Sequence, residues 1–197
     1  MMNSMKAVPT SIVGTLAPAD IYRATAVLVL AFTHDPIVRW QYPEPAQYLR
    51  LFPDFVRAFG GSALRQETAR YVGEHAGVAL WLPPGADLDH AAIDATLPVA
   101  RKAESAAVLE ELASYHPNEP HWYLPLIGVD PVYHRKGYGA MLLDDTLHRC
   151  DRDHVAAYLE STNPANIPLY QRHGFTLLGT VQVGSSPPLF PMLRPAR

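Results

Sequence analysis

Gly128-Val129-Asp130-Pro131-Val132-Tyr133-His134-Arg135-Lys136-Gly137-Tyr138-Gly139-Ala140 carries the chain from an apolar run into an amphipathic one. Upstream, Trp122 to Val129 is almost unbroken in apolar residues, the pattern of a strand buried on both faces. Asp130-Pro131 ends it, and a helix is expected from about Gly137 to Cys150. Strand, glycine-rich turn and helix in succession bind phosphate: free N–H groups at the helix start point outward, and the helix dipole places about +0.5 charge there. Gly137 and Gly139 let an anion approach with no Cβ in the way, while His134, Arg135 and Lys136 ring the turn with donors and positive charge. The implied ligand is polyanionic, a pyrophosphate foremost. It is neither a Walker A loop nor a dinucleotide fingerprint, which would need glycine where Leu142 stands. A tight turn with a solvated basic patch accounts for the same residues.

Outward from this segment the chain alternates short elements. Asp20 precedes a helical run of Ile21, Ala24, Thr25, Leu28, Val29 and Phe32, and its carboxylate is expected to cap it. His34-Asp35-Pro36 ends that helix. A second helix is expected from Pro45 to Phe59, kinked at Pro53 and stopped by Gly60-Gly61. Leu64 to Val72 and Val78 to Leu82 read as a strand pair around residues 73–77. Residues 90–115 are helical with a break at Pro98. After the quoted segment come a strand at Val155 to Leu159, a short helix from Asn163 to Arg172, and two strands at Phe175 to Val183 and Leu189 to Leu193. The order α, α, β, β, α, β, α, β, α, β, β describes one mixed α/β domain over residues 1–197, with residues 1–16 a loose segment or first strand.

Composition narrows the function classes. The single cysteine, Cys150, excludes a disulfide framework and a cysteine-built zinc site. Nine histidines show no paired spacing, so no metal is expected. The longest apolar run, Ala26 to Phe32, is far short of the ~20 residues that cross a bilayer, and the first residues lack a signal-peptide pattern. A cytoplasmic protein with no membrane partner is expected. Sixteen Lys+Arg against nineteen Asp+Glu make no broad basic field, which argues against nucleic acid. The nineteen prolines, about twice the usual ~5% share, break the chain into short elements.

The quoted segment resembles motif A of the GNAT N-acetyltransferases: Gln or Arg, two residues, Gly, one residue, then Gly or Ala, at the same distance past the strand end. A second block supports this. Asn163-Pro164-Ala165-Asn166-Ile167-Pro168-Leu169-Tyr170-Gln171-Arg172-His173-Gly174-Phe175 is similar to the family's Asn-x-x-Ala-Ile-x-Leu-Tyr-x-x-x-Gly-Phe. Two motifs in the right order are far more specific than either alone. Two departures stand out: His134 replaces the usual Gln or Arg, and Asn166 replaces the usual Ala. Within the family, the framework is most similar to that of the puromycin N-acetyltransferases. That likeness is carried by Arg23-Ala24, Ala31-Phe32, Ala79-Leu80-Trp81, the stretch from His116 to Leu124, Leu159-Glu160-Ser161 and Pro187-Pro188-Leu189.

The resemblance implies an α/β fold whose mixed sheet of about six or seven strands splays between strands 4 and 5 and is flanked by helices. It implies acetyl-CoA as donor and a small-molecule primary amine as acceptor, the amine attacking the thioester directly. Ile127, Gly128 and Val129 would line the thioester arm, with an amide near Ile127 polarising the acetyl carbonyl. His134, Arg135, Lys136, Gly137, Tyr138, Gly139 and Ala140 would hold the pyrophosphate. Asn163 would touch the arm or cap its own helix, with Asn166 beside it. Tyr170 matches the family tyrosine that protonates the leaving sulfur; a phenol of pKa ~10 is protonated at neutral pH. The base is open between Glu160, whose carboxyl burial would raise, and Tyr123; His121 and Glu119 are weaker candidates, and His116 and His154 read as surface residues. Phe32, Trp40, Tyr42 and Glu160, with the 184–190 loop, would face the acceptor. A non-catalytic CoA-binding module and an unrelated nucleotide-binding protein remain as alternatives, and the chain is expected as a monomer or homodimer.

Overall fold

A computed structural model describes residues 12–86 and 88–197. Its elements are β1 (Val13–Thr15), α1 (Ile21–Ala31), α2 (Pro36–Gln41), α3 (Pro45–Arg65), β2 (Ala69–Val72), β3 (Gly77–Leu82), α4 (His90–Thr96), α5 (Val99–Ala113), β4 (His121–Val129), α6 (Tyr138–Asp153), β5 (Ala156–Ser161), α7 (Ile167–Arg172), β6 (Thr176–Leu177) and β7 (Phe190–Arg194). The strands form one sheet in the order β1-β2-β3-β4-β5-β7-β6. Only β4 and β5 run parallel; the other pairs are antiparallel. The fold is mixed α/β, as the sequence predicts. No helix among the described residues is long and apolar enough to cross a membrane.

Two apolar layers clasp the sheet. On one face α1 and α3 pack Ala24, Leu28, Phe52 and Val56 against Val78, Leu80 and Leu126. On the other, α6 and α7 pack Leu142, Leu143, Leu147 and Tyr170 against Trp81, Trp122, Leu159 and Met192. A smaller cluster joins α2 and α5 to the loop before β7 through Ile37, Val108, Leu112, Val181 and Leu189.

β4 is not buried on both faces throughout. Trp122, Leu124, Leu126 and Gly128 are buried, and the residues between them are half-exposed. The reason lies in its pairing with β3. Leu80 faces Leu126 but Leu82 faces Tyr123, so Leu124 and Pro125 together oppose Trp81. This bulge shifts the strand's parity. Before it, Trp122 and Leu124 face α6; after it, Leu126 faces α1 and α3. One strand thereby feeds both cores, which is why its sequence shows no alternation. Pro125 sits where the ladder is already broken, so its missing N–H costs no hydrogen bond.

Several expected boundaries move. Residues 36–41 form α2, because Asp35 caps it by accepting from the Val38 amide (3.0 Å) and Pro36 starts it. α3 runs through Pro53 and past Gly60-Gly61 to Arg65. Gly60 is there for closeness: a Cβ on it would lie 3.0 Å from the Leu80 side chain. β2 therefore begins only at Ala69, and the expected strand from Phe175 to Val183 contracts to Thr176–Leu177 plus one bridge between Val181 and Leu189. Asp20 makes no side-chain cap to α1; its carboxylate lies 3.8 Å from His75 Nε2. The expected first strand is present as Val13–Thr15, while residues 1–11 lie outside the described residues.

Gly128 sets how closely α1 approaches β4. A Cβ there would lie 2.6 Å from Ala31 Cβ and 3.0 Å from Leu28 Cδ2, far inside contact distance. Gly128→Val is expected to push α1 off the sheet and cost about 1–3 kcal/mol of stability, read as a lowered urea midpoint.

Candidate active site

The parallel pairing of β4 with β5 covers only His121, Trp122 and Tyr123 against Ala156, Ala157 and Tyr158. Beyond Tyr158, β5 stays paired with β7 on its far side, and beyond Tyr123, β4 stays paired with β3. The two strands therefore part, leaving the inner edge of each unpaired. Which β4 groups face that gap follows from alternation. The Asp130 amide donates to Ala76 O on the β3 side (2.9 Å), so Gly128 and Leu126 also turn their main chain toward β3, and Ile127 and Val129 turn theirs into the gap.

At the end of β4 the chain turns into α6. Asp130 caps a 3-10 turn at Pro131–Tyr133 by accepting from the Val132 amide (2.9 Å). The His134 ring nitrogen Nε2 lies 2.9 Å from Val129 O, which folds the turn back onto the strand. Arg135 (φ 62°) and Gly137 (φ 81°) are both left-handed. Successive residues in such conformations turn their amides to one side. Gly137 is the N-cap of α6, and space is open where its Cβ would lie; at Gly139 the nearest neighbour of a Cβ would be Leu169, 3.7 Å away. The first-turn amides of Gly139 and Ala140 have no preceding helical carbonyl to meet. Residues 131–137 are exposed, and Lys136 Nζ stands 4.6 Å from the centre of the Tyr133 ring. This cradle of amides with the Arg135 and Lys136 charges fits a polyanion.

The gap's α1/α3 face carries the titratable groups. Ala157 and Leu159 face α6, so Tyr158 and Glu160 face the opposite way, alongside Tyr123. The Tyr123 and Tyr158 rings lie 6.0 Å apart at paired positions. Glu160 is largely buried, and burial raises its carboxyl to about 7, with the neighbouring Tyr123 and Tyr158 hydroxyls and its own backbone pulling the other way. The Tyr158 hydroxyl completes no bond of standard geometry. Burial and the Glu160 charge push both phenols above their ordinary value. Both phenols therefore stay protonated beside Glu160.

His116 also belongs to this cluster, against its reading as a surface residue. Its Nε2 lies 3.8 Å from Glu160 Oε1, and its ring lies 4.4 Å from that of Tyr158 and 5.0 Å from that of His121. Burial and the neighbouring His121 lower it to about 4. The sequence marks His116 only as the start of a framework stretch, because it comes from the α5–β4 loop; Tyr158 is marked, two residues before Glu160 on the same strand face.

Across the gap, Tyr170 is buried against α6 and Phe175. Burial, and then the charge of Asp35, push its phenol up. Asp35 is itself buried, and burial raises its carboxyl against the pull of its hydrogen bonds. It caps α2 with one oxygen and accepts from the Thr162 hydroxyl with the other, which ties the α1–α2 loop to the end of β5. Sequence reading took Asp35 only as a helix terminator. Asn163 caps its own 3-10 turn, its Oδ1 accepting from the Ala165 amide (3.0 Å); Asn166 is exposed.

The aromatic residues divide. Phe32 is half-buried at the end of α1, stacked obliquely on Phe52 and beside Gly128. Trp40 donates from Nε1 to Ser185 Oγ (2.9 Å) under the Arg101 guanidinium, and Ser185 donates on to Glu104 (2.7 Å), which fastens the 184–190 loop to α2 and α5. Tyr42 is fully buried against Phe52 and Phe55. It offers no surface to an acceptor, because α3 closes over it. Cys150 is buried, and burial raises its thiol to about 12, so it is packing and not a nucleophile.

Known proteins share this fold. An uncharacterised N-acetyltransferase of Schizosaccharomyces pombe is 26% identical over 180 residues, covering 79% of this chain and 70% of its own. The crystal structure of a histone acetyltransferase HPA2 and related acetyltransferase from Corynebacterium glutamicum superposes with a TM-score of 0.66 at 26% identity, over 95% of this chain and 97% of that one. Arylalkylamine N-acetyltransferase 2 of Aedes aegypti shares the fold at 13% identity, with a TM-score of 0.68 over 95% of this chain and all of its own. The Acetyltransferase (GNAT) family model matches residues 32–175, which span the parted strands, the α6 turn and Tyr170. The chain therefore belongs to the GNAT family of N-acetyltransferases.

Proposed function

We propose that the protein transfers the acetyl group of acetyl-CoA to a primary amine of a small molecule by direct attack of the amine on the thioester. The observation that carries this is the parting of β4 and β5, which leads from the amide cradle at α6 to a buried carboxylate poised near neutrality. The donors at Gly137, Gly139 and Ala140, with Arg135 and Lys136, fit the pyrophosphate of acetyl-CoA, and the gap-facing main chain of Ile127 with the Val129 amide fits its amide-bearing arm. Acetyl-CoA supplies an activated acyl carbon. The Ile127 amide donates to its carbonyl oxygen as charge gathers there. Glu160 takes a proton from the attacking nitrogen, and Tyr170 gives one to the sulfur as the C–S bond breaks. A small-molecule acceptor accords with the Aedes relative, whose name makes it an arylalkylamine acetyltransferase.

The test is release of free CoA from acetyl-CoA with a panel of aromatic amines, aminonucleosides and polyamines. Turnover with at least one amine is expected. Tight CoA binding with no turnover on any amine points instead to a non-catalytic CoA-binding module, and stabilisation by ATP or NAD but not CoA excludes both readings. Gly137→Ala is expected to weaken CoA by about tenfold in calorimetry. The methyl enters the cradle, and the left-handed backbone costs a residue with a Cβ about 1–2 kcal/mol.

A further inference from the structure

Glu160 needs a way to lose the proton it takes up. It sits at an inner position of β5, walled by Tyr123 and Tyr158 on its own face of the sheet, with little of its side chain exposed. His116 stands beside it and reaches much further into water: Nε2 is 3.8 Å from Glu160 Oε1, about 1 Å beyond hydrogen-bond length, while about a third of its side chain is exposed. The His116 ring is held by rings from both strands where they are still paired, Tyr158 on β5 and Tyr123 and His121 on β4. We propose that His116 is the proton outlet of the active site, passing the proton collected by Glu160 to bulk water after each acetyl transfer. This rests on the functional reading above and adds to it a residue outside the family motifs.

The accounting is simple. The attacking nitrogen loses one proton to a Glu160 oxygen, His116 Nε2 takes that proton, and the ring loses one to water, which restores the carboxylate; the Tyr170 phenolate left by protonating the sulfur takes one proton back from water, so the cycle is proton-neutral. The groups that face His116 favour a short stay. His121 on β4 and burial disfavour a charged imidazole, while Glu160 on β5 attracts one only when ionised, and the Tyr123 and Tyr158 phenols stay neutral. A neutral ring that is briefly charged passes protons on; a ring held charged by Glu160 would be a fixed ion pair. His116 touches neither acetyl donor nor acceptor and acts through Glu160, so it is a positioning residue.

Two readouts test this. In His116→Ala, kcat for the best amine of the panel is expected to fall about tenfold or more, with both KM values changed less than about threefold, and added imidazole is expected to restore it in a concentration-dependent way. His116→Asn, which keeps polarity and much of the volume, serves if the alanine variant fails to fold, and it is expected to lose kcat likewise. The second readout needs no turnover. The ring nitrogen shifts of His116 in the free protein are expected to show an inflection at the pH where Glu160 ionises, and Glu160→Gln is expected to abolish it. Wild-type kcat in both variants, a loss that imidazole does not rescue, or ring shifts indifferent to Glu160 would overturn the outlet. If wild type turns over no amine, it is the transferase reading that fails, and the nuclear magnetic resonance titration then decides the His116–Glu160 coupling alone.

Discussion

Glu160→Gln is expected to lower kcat/KM for acetyl transfer by about 10²–10⁴-fold, the usual range for removing a general base. Glutamine keeps the size and polarity of the side chain but has no basic oxygen. The pH profile carries the sharper statement. A base works deprotonated, so wild-type kcat/KM is expected to show an inflection near 7, where burial places the Glu160 carboxyl, superposed on the ionisation of the amine; in the variant the inflection near 7 is expected to vanish, leaving only the ionisation of the amine itself. Stability is expected to move the opposite way. The folded carboxyl is raised from 4.5 to about 7, so the unfolded chain releases its proton first, and the wild-type protein loses stability as pH climbs through that window. Glu160→Gln is accordingly expected to melt higher than wild type at pH 8 and to lose that advantage below pH 4.5. An inactive variant that is more stable at pH 8 separates a lost base from a damaged fold. Full activity in the variant would remove Glu160 from the mechanism.

Tyr170→Phe is expected to lower kcat by about 10²-fold or more while leaving the KM for acetyl-CoA within a few-fold, because in the proposed mechanism the phenol acts on the leaving sulfur. Burial and the Asp35 charge hold the hydroxyl protonated, so wild-type kcat is expected to show no alkaline fall up to pH 10 from this group. The loss is expected to shrink for an acyl donor whose thiol leaves without help, such as an aryl thioester, which a mere packing role for the ring would not produce. Undiminished kcat in Tyr170→Phe would leave the sulfur's proton to solvent.

The two motifs were legible in the residues because what they encode is local. A left-handed Gly137, a helix that must start at Tyr138, and a strand that must stop before Pro131 are properties of neighbouring residues, and the structure builds the turn they describe. The position of Tyr170 followed from its own motif in the same way. Local signals misled where a residue serves a distant one. Gly60 reads as a helix stop and is a contact with Leu80 across the core; Tyr42, beside prolines, reads as pocket material and is sealed beneath α3.

The apolar run from Trp122 to Val129 shows the same division. Its composition correctly names a strand, but the face each residue takes depends on the bulge opposite Trp81, which exists only once β3 is paired. The raised carboxyl of Glu160 was expected from its place in an apolar strand, but the company it keeps was not. A carboxyl is an ordinary acid until Tyr123, Tyr158 and His116 close around it, and those groups come from β4, β5 and the α5–β4 loop. The turn follows from short-range backbone rules that one stretch of chain can state, and the family from the two motifs that resemble it. The proton path follows from burial and from charges brought together across the sheet, and these come into being only when the chain is folded.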